Sequence, residues 1–574
     1  MIDAQTPPPT GPFLPTLSPS AAVLPAREER FFVLTASVEA VLLLVSVFWA
    51  LTANRAFFAA ALRDRTLADP QTWGLALALG VLLAALHFLL LGLFACRWSV
   101  KPLLTVLIIS TALAAYFMNS YGVYLDPSML RNVLRTDPAE TRELLSWGLL
   151  AQIALYGVLP LLLLWRVQIV QRPVLRAIGI RIGALLLAGV VATAAALVVF
   201  KPVSSLLRKH KEVRYLVAPA NFLWSLGSVI ASDLHKARGP RQPIGVDAVA
   251  GPSWKTRHKP LLVVFVVGET ARAANWGLNG YTRQTTPELA SLPVVNFSEV
   301  NSCGTNTEVS LPCLFAPVGR RDYNEARIAG SESLLHLLAR VGVGVHWRDN
   351  QAGCKGVCDD LAKDSVLALD PPGMCSEGRC FDAGLLHGLD ERLRRTHGVE
   401  LLVLHQLGNH GPSYFRRYPP AFARYQPACT SDDLSRCTQA EIVNAYDNAL
   451  LYTDHVLATL IAKLQGQADR IDAAVVYVSD HGESLGENNL FLHGIPYAIA
   501  PEEQKRVPMV LWLSDGFRRS SAIDQACLTR RAREPASHDH IFHTLLGMLD
   551  VRTALYERQW DLLSGCRGEA PRHS

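Results

Sequence analysis

Three segments of the chain end an apolar run in a burst of acids, imidazoles and glycines: KPLLVVFVVGET (259–270), VELLVLHQLGNHG (399–411) and AAVVYVSDHGES (473–484). They carry Glu269, His405, His410, Asp480 and His481, and FLHG adds His493 twelve residues after His481. A mixed set of carboxylate and imidazole ligands suits Zn²⁺ better than Mg²⁺ or Ca²⁺, which prefer oxygen. An Asp-His pair alone is more often structural than metal-binding; joined to GET and a further histidine, it reads as a metal site. Zinc makes a neighbouring hydroxyl easier to deprotonate, so a Thr or Ser held beside it becomes a nucleophile near neutral pH. The stretch NSCGTNTEVSLPCLF (301–315) offers Thr305, Thr307 and Ser310 for that task, between Cys303 and Cys313. Residue type alone does not choose among the three.

Side chains this distant in sequence can meet only if a sheet delivers them. From residue 258 onward, short strands rich in Val, Ile and Leu alternate with longer helical patterns, which predicts an α/β sheet covered on both faces. Open sheets of this kind gather their sites at the carboxyl ends of strands. Glu269, His405, His410, Asp480 and His481 are therefore expected to converge.

The first third of the 574-residue chain is different in kind. Five apolar runs lie near 31–52, 73–95, 102–120, 147–165 and 182–200. Each is long enough to cross a hydrocarbon core of about 30 Å as a helix that satisfies its own backbone. Residues 1–26 are rich in Pro, Thr and Ser with no early apolar core, which predicts a disordered tail rather than a signal peptide. Basic and apolar residues alternate after the fifth run, in KPVSSLLRKHKEVRYLVAPANFLWS, as in a helix lying at a membrane interface, and residues 237–257 read as a linker. Glu39, inside the first run, should face a helix partner or cavity. The expected organisation is a cytoplasmic tail (1–26), a transmembrane domain (27–200), an interfacial helix and linker (201–257) and a catalytic domain (258–574).

Charge and cysteine usage place these parts. A formal net charge of +5 with no dense Lys/Arg block argues against a nucleic-acid protein. Arg166, Arg172, Arg176 and Arg181 mark a cytoplasmic loop, though arginines on the opposite loops weaken the bias. Ten of the eleven cysteines fall in the soluble part, including the close pairs Cys303 with Cys313, Cys354 with Cys358, Cys375 with Cys380, and Cys429 with Cys437. None has CxxC zinc spacing, so they predict short-loop disulfides in an oxidising compartment. Cys527 and Cys566 could form a fifth bridge or stay free. The catalytic domain is thus expected in the periplasm, with the N-terminus inside.

The segments GETAR (268–272), SCGTNTEVSLPC (302–313), CKGVC (354–358), HQLGNHGPSY (405–414), NAYDNALLYTD (444–454) and SDHGESLGENNLFLHG (479–494) together resemble the lipid A phosphoethanolamine transferases. That family includes the mobile colistin resistance enzymes and lies within the alkaline phosphatase and sulfatase superfamily. The resemblance extends into the membrane half, where DPSMLRNVLRTDPAETRELL (126–145) is similar to the family's loop between the third and fourth spans. It implies a five-helix transmembrane domain joined to an α/β/α periplasmic domain of the alkaline phosphatase/sulfatase type.

The same resemblance implies that Thr307 is the nucleophile and a zinc ligand with Glu269, Asp480 and His481. It assigns His410 and His493 to a second zinc or to the phosphate, and Lys355, Asn132, Thr136 and Glu140 to substrate binding; His405 lies in a matching motif. Ala352 stands where the family often has a serine. The implied reaction passes phosphoethanolamine from phosphatidylethanolamine to Thr307 and then to a lipid A phosphate, with His410 as the expected acid, giving polymyxin and colistin resistance. The implied enzyme is an inner-membrane monomer holding one zinc ion, or two. Competing readings are transfer to a lipopolysaccharide core sugar or other periplasmic glycan, a lipid-linked glycerol-phosphate transferase or a hydrolase of the superfamily, and a lipid-binding module without chemistry. No C/S-x-P-x-R segment near Thr307 supports a sulfatase, and the cysteine count disfavours the glycerol-phosphate reading. A binding module should have lost a ligand or the nucleophile.

Overall fold

The computed structural model describes residues 34–63, 65–136, 138–236 and 240–568, so the tail expected over 1–26 lies outside the described residues. The membrane half comprises α1 (Val38–Thr52), α2 (Arg55–Ala61), α3 (Pro70–Phe94), α4 (Val100–Tyr121), α5 (Pro127–Leu134), α6 (Pro138–Glu143), α7 (Trp147–Arg166) and α8 (Val174–Lys209). Four of these helices are long and apolar enough to cross a membrane, and α1 with α2 makes a fifth span if the pair, bent by 56°, is counted as one. The bend has a cause: Asn54, fully buried, uses its amide to donate to Trp49 O at 2.9 Å and Ala218 O at 3.0 Å, and accepts from Ala218 N at 2.9 Å. Glu39 meets the partner its cost in lipid demands, taking Arg172 Nη1 at 3.0 Å and Arg181 Nε at 3.1 Å.

Helix α8 runs on through the basic segment 201–209 expected at the interface, reaching 36 residues, about 54 Å at 1.5 Å per residue. A separate helix, α9 (Ala220–Lys236), follows. Between α4 and α7, Gly122 stops α4 in the left-handed region (φ 71°) and Asp126 caps α5 by accepting from Met129 N at 2.8 Å. That folds residues 126–145 back as two short helices.

The catalytic half is built on an eight-stranded sheet: β1 (Leu261–Gly268), β2 (Val295–Asn301), β3 (Gly344–Asp349), β4 (Ala362–Ser365), β5 (Val399–His405), β6 (Asp472–Ser479), β7 (Arg506–Leu513) and β8 (Ala536–Ser537). Their order is β8-β2-β7-β6-β1-β5-β3-β4, and only β7 runs against its neighbours. Every residue of β1, β5 and β6 is buried, as parallel strands covered on both faces must be. Alternate residues of β1 enter different cores: Leu262, Val264 and Val266 face α11 (Gln439–Gln465), while Leu261, Val263, Phe265 and Val267 face α10 (Thr307–Leu314) and α12 (Asp539–Met548). The first core continues without a break into the membrane helices through Met129, Tyr121 and Tyr116.

All four close cysteine pairs are bridged: Cys303 with Cys313, Cys354 with Cys358, Cys375 with Cys380, and Cys429 with Cys437. Cys527 and Cys566 make a fifth disulfide. The third bridge closes the short loop expected of it, and it does so across a small antiparallel hairpin: Cys375 and Cys380 sit directly opposite each other, 375–376 against 379–380, so the bridge staples two strands. Its two sulfurs also differ in setting. Cys375 is half-buried, whereas Cys380 is buried within the first core.

Candidate active site

Strand register sets the level of the site. Gly268 pairs with Ser479 and Val267 with His405, so Glu269, Gln406 and Asp480 all leave the sheet together. The turn after β1 is tight. Thr270 holds a left-handed φ of 52°, costly for a β-branched residue, and its amide donates to Asp480 Oδ1 at 3.3 Å. The turn after β5 crosses it so closely that only glycine fits at position 408: a Cβ there would lie 2.5 Å from Glu269 O.

Glu269, Asp480 and His481 are fully buried, and among the described residues they form the only group of three His, Cys, Asp or Glu ligand atoms lying within 4.8 Å of one another. His481 Nε2 is 3.3 Å from Glu269 Oε1 and 3.3 Å from Asp480 Oδ2. Thr307 Oγ1 completes the group, donating to either oxygen of Glu269 at 3.3 Å and lying 3.4 Å from His481 Nε2. The neighbouring hydroxyls are engaged elsewhere. Thr305 donates to Ile495 O at 2.6 Å, and Ser310 accepts from Gly304 N at 2.8 Å. Thr307 opens α10, whose cap Asn306 accepts from Val309 N at 3.0 Å, and the Cys303–Cys313 disulfide closes the loop around that helix.

The donor set fits a zinc ion. Asp480 Oδ1 accepts two backbone amides, from His481 at 2.8 Å and Thr270, whereas its buried Oδ2 has no hydrogen bond and faces the cluster. His481 Nδ1 donates to Gly482 O at 3.0 Å, which leaves Nε2 as the ligand atom. Electrostatics say the same. Burial opposes charge on all three groups, yet the Glu269 carboxyl is held well below its ordinary range by His481, with help from His410 and His405, and the His481 imidazole is pushed up to about 9 by Asp480 and Glu269. Asp480 moves up through burial and the Glu269 charge. Two carboxylates around an imidazolium make a pocket in which a divalent cation can replace a proton.

A second tier surrounds this cluster. The His493 ring lies 4.4 Å from that of His481 and 5.3 Å from that of His410, and His493 Nδ1 donates to Glu483 Oε2 at 3.1 Å. His410 Nε2 faces Glu140 Oε1 of α6 at 3.5 Å. Lys355, in the disulfide loop 354–358, places Nζ 3.8 Å from Glu308 Oε2, next to Thr307 in sequence. Among the described residues Asn132 and Thr136 make no hydrogen bond to the cluster; the Thr136 hydroxyl donates to Asn132 O at 3.0 Å. His405 is fully buried behind Glu269, with Nε2 3.9 Å from Glu269 Oε2 and Nδ1 donating to Asp349 Oδ1 at 2.8 Å. That placement suits orienting the carboxylate better than touching a substrate. A cavity of about 1070 Å³, lined by Arg135, Glu308, Lys355, Tyr323 and Trp347 among others, opens beside α10 and reaches Glu308, the residue after Thr307.

Cys380, expected only as a disulfide partner of Cys375, lies behind the site. Its sulfur is bridged and buried in the apolar core, so it offers no ligand atom, and its link to the chemistry runs through its backbone. Asn350 Nδ2 donates to Cys380 O at 2.9 Å and to Asp382 Oδ1 at 2.8 Å. Asp382 in turn accepts the amides of Leu407 at 2.8 Å and Gly408 at 2.9 Å, in the turn that crosses Glu269. The Cys375–Cys380 staple therefore braces the turn after β5 from behind.

Sequence reasoning overlooked three supporting residues. Asp349 ends β3 and carried the same strand-end signal as the three segments above, which could have found it. Glu308 accepts a charged hydrogen bond from Arg135 of the membrane half. His538 accepts from Cys303 N at 3.1 Å on Nδ1 and donates from Nε2 to Ser479 O at 2.9 Å, tying the loop before Thr307 to the strand that ends at Asp480. Burial pulls this imidazole down to about 4, as a neutral strut requires. No local pattern marks it.

Residues 83–234 match the family described as phosphoethanolamine transferase EptA/EptB, and residues 262–551 match the sulfatase family. The chain is 38% identical to phosphoethanolamine transferase EptA of Escherichia coli K12 over 92% of its own length and 96% of the relative's. It is 39% identical to the Escherichia coli phosphatidylethanolamine transferase Mcr-1, covering 91% and 95% of the two chains. Among solved structures, the integral membrane protein lipooligosaccharide phosphoethanolamine transferase A of Neisseria meningitidis superposes with a TM-score of 0.89 at 37% identity, over 93% of this chain and 99% of that one.

Proposed function

The chain belongs to the phosphoethanolamine transferase family, and from that membership we propose that it moves phosphoethanolamine from phosphatidylethanolamine to a phosphate of lipid A through a covalent intermediate on Thr307. The donor is supported by the name of the Mcr-1 relative, and an acceptor that contains lipid A by a 30% identical relative named Kdo(2)-lipid A phosphoethanolamine 7''-transferase; the choice of a phosphate on it is part of the proposal. The observation that carries the mechanism is the Thr307 hydroxyl, 3.3 Å from both oxygens of Glu269 within a buried acid and histidine cluster.

A zinc ion would be held by Glu269, Asp480, His481 and Thr307, and when bound it supplies Lewis-acid stabilisation of the phosphoryl oxygens. Thr307 attacks phosphorus as the bond to the diacylglycerol oxygen breaks; a lipid A phosphate oxygen then attacks the same phosphorus and returns the threonine. Its place in the first turn of α10 favours negative charge on its oxygen and on an incoming phosphate. His410, His493 and Lys355 cradle the non-bridging oxygens. Burial, with neighbouring His493 and Arg417, pulls the His410 imidazole well below its ordinary value despite the Glu269 charge, so it begins as a neutral hydrogen-bond partner. A proton taken up there beside an anionic phosphate can pass to the leaving oxygen. The disulfides and apolar helices support an inner-membrane protein with this site on the periplasmic side.

Adding a zwitterionic group to lipid A lowers surface charge and with it polymyxin binding. Expression in a polymyxin-sensitive Gram-negative strain should add phosphoethanolamine to lipid A by mass spectrometry, and Thr307→Ala should abolish the addition, by at least about 1,000-fold for a lost nucleophile. Unmodified lipid A beside a modified core sugar would overturn the acceptor; activity retained in Thr307→Ala would overturn the mechanism.

A further inference from the structure

Helix α6 ends on Glu143, whose side chain, 7% exposed, packs against the fully buried side chain of Arg417 in the loop that follows His410. The pairing is fork to fork: Arg417 Nη1 donates to Glu143 Oε1 at 3.1 Å and Nη2 donates to Oε2. The third nitrogen, Nε, donates back to the carbonyl oxygen of His410 at 2.7 Å. Arg379 Nε stands 3.6 Å from the same carboxylate. Three residues earlier on the same helix, Glu140 faces His410 Nε2 at 3.5 Å. An i,i+3 spacing puts both carboxylates on one side of α6, so one helical turn holds His410 twice, at its ring through Glu140 and at its backbone through Glu143 and Arg417.

Two features separate this arrangement from a pair that only stabilises the fold. A stabilising pair needs no third bond to a residue of the site, yet Arg417 gives its Nε to His410. The guanidinium is also chemically required, because the single ammonium of a lysine lacks the planar fork that spans a carboxylate and a carbonyl together. Arg135, between α5 and α6, likewise grips Glu308 beside Thr307, so residues of the membrane half reach both sides of the site.

We propose that Glu143 and Arg417 are positioning residues: they lock the loop between the third and fourth spans onto His410 and thereby set the turnover of phosphoethanolamine transfer. The inference rests on the reading of His410 as a residue that contacts the phosphoryl group. It acts through placement, so it should appear in kcat more than in KM.

The test uses the full-length, zinc-loaded protein in detergent micelles and follows diacylglycerol release from a fluorescently tagged phosphatidylethanolamine. Arg417→Lys and Glu143→Gln should each lower kcat per folded molecule by about 100-fold, the effect of an ångström-scale misplacement, with KM for the donor changed less than about threefold. The double variant should be no slower than the slower single one, because both remove one contact. Unchanged kcat in the single variants, however far the melting temperature falls, would overturn the lock, as would losses that multiply in the double variant. Should Arg417→Lys not fold, Glu143→Gln, which keeps the shape of the side chain, carries the comparison of kcat with KM. A wild-type protein that releases no diacylglycerol would instead refute the underlying functional reading.

Discussion

A metal ion held by Glu269, Asp480 and His481, as proposed above, would have to displace a proton. Burial works against charge on His481, but Asp480 and Glu269 overcome it and raise the imidazole to about 9, so below that pH the ion competes with a bound proton. Chelator-stripped protein at pH 7.5 should therefore release about one proton on binding zinc, and apparent affinity should rise about tenfold per pH unit up to about 9 before levelling. Calorimetry in buffers of different ionisation enthalpy measures this directly; no proton release would show that His481 enters the reaction neutral. At this scale the strand-end pattern brought forward Glu269, Asp480 and His481, which the structure gathers into one buried cluster, but residue type left Thr305, Thr307 and Ser310 equivalent, because a hydroxyl's fate depends on which backbone groups claim it. Ile495 O and Gly304 N claim two of them. His538 stayed unread for the same reason: its two partners are backbone atoms of residues 303 and 479.

Helix α10 and the disulfide across it form the element that presents Thr307, the proposed nucleophile. Cys303 and Cys313 are ten positions apart and both buried, and replacing both by alanine should lower stability by about 2–3 kcal/mol. Denaturant titration reads that loss, and a fall in kcat measured below the unfolding midpoint reads the loosened loop; unchanged kcat would mean that Asn306 and the core alone hold Thr307 in place. The strands that deliver the ligands were legible because β1, β5 and β6 are uninterrupted apolar runs ending in polar residues. Cysteine spacing likewise identified Cys375 and Cys380 as partners, but spacing carries no information on burial, so the brace that Cys380 gives to the turn after β5 was not legible. The break between α1 and α2 was hidden too, since it depends on Asn54 meeting Ala218, 164 residues away. Helix α8 outran its expected end because Lys and Arg side chains continue a helix readily once it has left the apolar layer, and hydropathy alone marks only the layer.

Across the whole molecule, the five apolar runs and the α/β half were readable as separate territories, while their joint was not. Near the opposite end of the membrane half, Glu39 gathers Arg172 and Arg181, and Arg181 also donates to Gly92 O at 3.1 Å, tying α1, α3 and α8 together. Glu39→Gln should lower the melting temperature in detergent by a few degrees, about 1–2 kcal/mol for a clamp whose Arg172 is 28% exposed; an unchanged melt would show that helix packing alone fixes these three helices. At the catalytic end, the loop 126–145 lies between two spans in sequence, yet its Arg135, Glu140 and Glu143 all meet residues of the catalytic half. This bears on how such enzymes can be recombined. The linker over 240–257 looks like the natural seam for exchanging halves between relatives, but a crossover there would confront Glu308, His410 and Arg417 with foreign partners. The heritable working unit is discontinuous: residues 126–145 travel with residues 258–568, and a chimera that respects that unit keeps its site while one cut at the linker keeps only its folds.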